Sequence, residues 1–130
     1  MAVLASVFLA LAALVHVYIF VLESLRWRHP ATWKVFGLAN QADADTTASM
    51  AYNQGFYNLF LAVGALLGLV LLNIAGTAQA GYALAFLSAG SMLAAALVLI
   101  STGRSRLRPA AIQGTFPLLA VVFLLISLAV

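Results

Sequence analysis

All six Lys and Arg residues of this chain fall in two of the three gaps between four long apolar runs, and no other feature limits its architecture so tightly. Arg26, Arg28 and Lys34 follow the first run and Arg104, Arg106 and Arg108 follow the third, while the leading segment, the second gap and the tail carry none. Basic connections stay on the cytoplasmic side of a membrane, so two basic gaps separated by an uncharged one predict an even number of crossings with both ends outside. The predicted fold class is all-α: an integral membrane four-helix bundle, N-out and C-out, formed as one domain by residues 1–130.

A crossing takes about 20 predominantly apolar residues. Runs of that length lie at 3–22, 50–72, 82–100 and 110–130, predicting helices over about 3–25, 48–72, 81–101 and 109–130. Hydrophobic residues make up 65% of the chain and charged residues 7%, against roughly half and one quarter in globular proteins. This excludes an ordinary soluble domain and leaves lipid as the solvent. The formal charge of +3 is accounted for by topology and by anionic headgroups. The expected partners therefore include membrane lipids and no nucleic acid, and the expected location is the cell inner membrane. With no cysteine, disulfides, thiolate metal sites and iron–sulfur clusters are excluded. The first run has no basic segment before it and carries His16 and Glu23, so it reads as a retained helix and not as a signal peptide.

The first gap is the only long one. Its first half mixes Trp27, Trp33 and Phe36 with Arg28 and Lys34, a composition suited to the headgroup region. Pro30 and Gly37 are start and stop signals for a short interfacial helix between helices one and two. Asp43, Asp45, Thr46 and Thr47 are expected to cap the second helix. Gly64 and Gly68 form a GxxxG pair, with Gly81, Ala85, Ser88 and Ala89 as a small-residue face on the third helix. Such faces serve close packing within a chain or the seam of a homo-oligomer.

Ionisable and amide side chains inside a bilayer need a partner or a task, because a charge there costs roughly 2.5 kcal/mol or more. His16 and Glu23 are seven apart, which on an α-helix puts them on one face, and Trp27 continues the stripe. The opening of the second helix offers Asn53, Gln54, Tyr57 and Asn58, and Gln113 precedes Pro117 by four residues. The predicted topology puts Glu23, residues 53–58 and Gln113 at one cytoplasmic depth, with His16 deeper as a floor. A polar pocket in the cytoplasmic half of the bundle follows, lined by His16, Glu23, Trp27, Asn53, Gln54, Tyr57, Asn58 and Gln113. Each group also has a plainer explanation. Glu23 can pair with Arg26 and snorkel to water, His16 can bond an amide between helices, and the amides can be structural glue at roughly 0.6 kcal/mol per bond. A metal site is not expected, since His16 and Glu23 are too far apart to share an ion and His29 lies in the loop; no cofactor is implied either.

These residues carry a resemblance. His16-Val17-Tyr18, Leu22-Glu23 and Trp27, then Lys34-Val35-Phe36-Gly37-Leu38, Asn53-Gln54-Gly55-Phe56-Tyr57-Asn58 and Gln113-Gly114, resemble the membrane-protein family called domain of unknown function 1304, over the whole length. The family carries an acidic residue just before the histidine in many members, where this chain has Val15. The resemblance implies a four-helix integral membrane fold and no established activity. Three functions are compatible with it. One is a pocket binding a small lipophilic molecule, with His16 and Glu23 as catalytic candidates for proton transfer. The second is a small proton-coupled exporter acting as an oligomer, and the third a structural or accessory membrane subunit.

Overall fold

The four long apolar runs all become helix in the computed structural model of the protein, which describes residues 2–129 and contains no strand among them. The order is α1 (Ala2–Phe20), a π turn (Val21–Leu25), α2 (Pro30–Val35), α3 (Gln41–Leu72), α4 (Ala78–Ser101), a 3-10 turn (Arg104–Arg106) and α5 (Leu107–Ala129). Four helical stretches are long and apolar enough to cross a membrane: Ala2–Leu25, Gln41–Leu72, Ala78–Ser101 and Arg104–Ala129. The expected end of the last helix at Val130 lies outside the described residues.

Pro30 and Gly37 bracket a short helix as expected. His29 Nδ1 accepts from the Ala31 amide at 3.3 Å and Pro30 opens α2. Its end is a Schellman motif, with Gly37 N–H bonded to Lys34 O and Leu38 N–H to Trp33 O, and with Gly37 at φ 80°.

Two expectations are corrected. The second long helix starts at Gln41, not near 48, because Asn40 Oδ1 accepts from the Asp43 amide at 2.9 Å and caps it. Thr46 and Thr47 therefore are not caps: their hydroxyls donate back to Ala42 O and Asp43 O, as in a helix interior. The 32 residues of α3 span about 48 Å, so residues 41–49 form a polar extension of the apolar stretch. The His16, Glu23 and Trp27 stripe also fails as drawn. Regular α-helix stops at Phe20, the π turn breaks the 3.6-residue register, and Trp27 lies beyond the helix in a turn.

The chain divides into two compact units, one of Met1–Val15 with Leu61–Val130 and the other of His16–Phe60. In the first, the GxxxG pair packs inside the chain: a Cβ on Gly68 would lie 2.8 Å from Ala85 N and 3.1 Å from Gly81 O, and Gly64 faces Ser88. Gly114 meets Ala96, Tyr82 and Ser127 hydroxyls lie 3.1 Å apart, and Phe8 stacks on Phe123 at 5.4 Å. Leu9, Met92 and Leu124 are buried there. The second unit holds the end of α1, the π turn, α2 and the first half of α3.

Candidate functional site

The π turn forms where α1 widens after Phe20, so that the Arg26 amide reaches back five residues to Val21 O at 3.0 Å. Such turns recur at functional sites in helices. Here the wider turn lets two consecutive residues engage α3. Glu23 Oε2 accepts from Asn58 Nδ2 at 2.9 Å, and Ser24 Oγ donates to Tyr52 O at 2.8 Å. The second proton of the Asn58 amide goes to Gln54 O at 3.2 Å, which fixes the orientation of a side chain that is 7% exposed. Gly55 permits this approach, since a Cβ there would collide with Ser24 Oγ and lie 3.0 Å from Ser24 N and 3.1 Å from Glu23 Cβ. Phe20 closes on Phe56 edge-on at 5.1 Å on the apolar side of the contact. Among the described residues Glu23 makes no ion pair with Arg26.

Beyond the π turn, the loop docks on the polar extension of α3. Trp27 Nε1 donates to Ala44 O at 3.0 Å and to Thr47 Oγ1 at 3.2 Å, and its ring lies on Phe36 at 5.0 Å. Trp33 Nε1 donates to Gln41 Oε1, Gln41 Nε2 to Asp45 Oδ1, and Asp45 Oδ1 pairs with Arg28 Nε at 3.2 Å. That ion pair is open to solvent and adds little stability; its effect is to orient Arg28. Between these two sets of contacts is a groove of about 390 Å³, lined by Glu23, Ser24, Leu25, Trp27, Arg28, Ala48, Ser49 and Tyr52.

The residues expected from sequence are placed unevenly. Glu23 and Trp27 line the groove, and Asn58 holds Glu23 from behind. His16 is fully buried in the same unit. Asn53, Gln54 and Tyr57 are exposed and are not among the residues that line the groove. Gln113 is half-buried on α5 and belongs to the other unit. Ser24, Arg28, Ser49 and Tyr52 were not anticipated. Arg28 is explained in sequence by topology alone, and a single Ser in an apolar run carries no signal. Among the described residues, no group of three or more His, Asp or Glu side chains is placed to hold a metal ion. A second hollow of about 390 Å³, beside Ala2, Val3, Ser6 and Asn73, has no titratable side chain among the described residues that line it.

Comparison with known proteins gives one match. Residues 10–125 match the protein family of unknown function DUF1304, and the chain belongs to that family. No curated protein and no solved structure matches it.

Proposed function

We propose that this DUF1304 protein is a multi-pass protein of the cell inner membrane that holds a small lipophilic molecule in a polar, cytoplasm-facing site, with His16 and Glu23 available for proton transfer. The observation that carries the reading is the Glu23 carboxylate, held by Asn58 in a π turn beside a groove of about 390 Å³. That volume is within the range of small-molecule sites. A carboxylate kept at half burial by one buried amide is a costly arrangement for mere helix packing, and a π turn with Gly55 beneath it maintains the arrangement.

Orientation follows from charge. Every Lys and Arg lies in the first or third connection, which supports N-out and C-out topology with residues 26–49 and 102–109 in the cytoplasm. Trp27, Trp33, Lys34 and Phe36 on and around α2 support its lying along the cytoplasmic interface.

Thermal unfolding of the purified protein in detergent, with and without its co-purifying lipid extract, tests the reading. Glu23→Gln, which keeps an acceptor for Asn58, should stay folded and lose the extract-dependent rise in unfolding temperature. A drop in stability that the extract does not influence would instead support the structural-subunit reading, in which the polar residues only hold helices together.

A further inference from the structure

The groove at the π turn mixes two opposite charges, and its place in the fold is that of a lipid headgroup. This inference rests on the membrane reading above. Ser24 bonds to Tyr52 and Glu23 to Asn58, so the groove is level with the end of the first apolar span at Leu25 and with the start of the apolar part of α3. Leu25, Trp27 and Tyr52 line it together with the charged Glu23 and Arg28. In a bilayer this is the layer where apolar chains give way to phosphates and amines.

Each charged group has bonding capacity left. Glu23 commits Oε2 to Asn58, and its Oε1 makes no hydrogen bond among the described residues. Arg28 commits Nε to Asp45, its side chain is 70% exposed, and both Nη groups make no hydrogen bond among the described residues. The Ser49 and Tyr52 hydroxyls are likewise uncommitted among the described residues, and both residues line the groove. A purely anionic headgroup satisfies Arg28 and sets Glu23 against a like charge or a neutral glycerol. A quaternary ammonium has no N–H to give Glu23 and would need open aromatic faces. Here Trp27 already has Phe36 on its ring, and Tyr52 has Phe56 at 5.0 Å.

We propose that this groove seats the zwitterionic headgroup of a primary-amine phospholipid, the ammonium donating to Glu23 and the phosphate accepting from Arg28 and Ser49. The cavity of about 390 Å³ is at the small end of ligand sites, enough for a headgroup and not for a whole lipid. The acyl chains would lie outside it, along the apolar helix surfaces.

The test is native mass spectrometry of the full chain in detergent, titrated with phosphatidylethanolamine, phosphatidylcholine, phosphatidylglycerol and the tail-less glycerophosphoethanolamine. Phosphatidylethanolamine should bind about tenfold more tightly than phosphatidylcholine or phosphatidylglycerol, the worth of one charge-assisted hydrogen bond. Glu23→Gln still offers Asn58 an acceptor and should fold, yet lose that preference; Arg28→Gln should weaken phosphatidylethanolamine and phosphatidylglycerol alike. Equal binding of the ethanolamine and choline lipids, or a preference that survives Glu23→Gln, would overturn the proposal. Glycerophosphoethanolamine binding as tightly as the whole lipid would overturn the assignment to a lipid. If the headgroup preference is absent while the Glu23-dependent thermal shift persists, the headgroup inference falls and the pocket reading stands; loss of both removes both.

Discussion

Asn58 is the residue on which the site turns. It is buried, it offers its amide protons to Glu23 and to Gln54 O, and nothing else among the described residues bonds the Glu23 carboxylate. Asn58→Ala leaves that carboxylate half-buried without a donor and should cost about 1–3 kcal/mol of stability. In a Glu23→Ala background the same change should cost far less, because the coupling resides in the pair. Thermal unfolding of the four proteins of this cycle measures it; additive losses would show that Asn58 acts through something other than Glu23. The sequence made this pair legible, since Glu23 closes one apolar run, the amide-rich run at 53–58 opens the next, and the connection between them returns the chain to the same end. It did not distinguish Asn58 from Asn53, Gln54 and Tyr57, because all four sit within two turns of one helix and only the packing of α1 selects which of them turns inward.

Among the elements, the π turn was the least visible in sequence. No Pro or Gly lies within Val21–Leu25, and a pattern based on 3.6 residues per turn assumes the regularity that the turn breaks. The one trace of it is on the opposite helix, where Gly55 interrupts a bulky run. Gly55→Ala should destabilise the protein by about 1–3 kcal/mol through the collision with Ser24 and should part Glu23 from Asn58. Gly90→Ala, where a Cβ would meet nothing within 4 Å, is the matched control and should be neutral or slightly stabilising. Equal behaviour of the two variants in thermal unfolding would contradict a tight α1–α3 approach at this point. The start of α3 was misplaced for a related reason: Asp43, Asp45, Thr46 and Thr47 read as caps by type, but Asn40 was available three residues earlier and made the helix longer. By contrast, the stop and start signals of α2 were unambiguous, because Pro and Gly act through backbone geometry that few contexts override.

At the scale of the whole molecule, hydropathy and charge were enough to read four helices long and apolar enough to span a membrane, since the apolar runs take up most of the chain and the basic residues fall in the connections. The small-residue pair Gly64 and Gly68 left two outcomes open in sequence, and the contact with Gly81, Ala85 and Ser88 decides for packing within the chain. Function was legible only as a location. Polar groups in an apolar chain indicate where something is bound or held, and they do not name it. A density map of the protein in native lipid should show ordered non-protein density in the groove bounded by Glu23, Trp27, Arg28, Ser49 and Tyr52, with Asn58 holding Glu23 from behind. A groove that holds only water, or one closed by the side chains of a neighbouring protein, would contradict the proposed function.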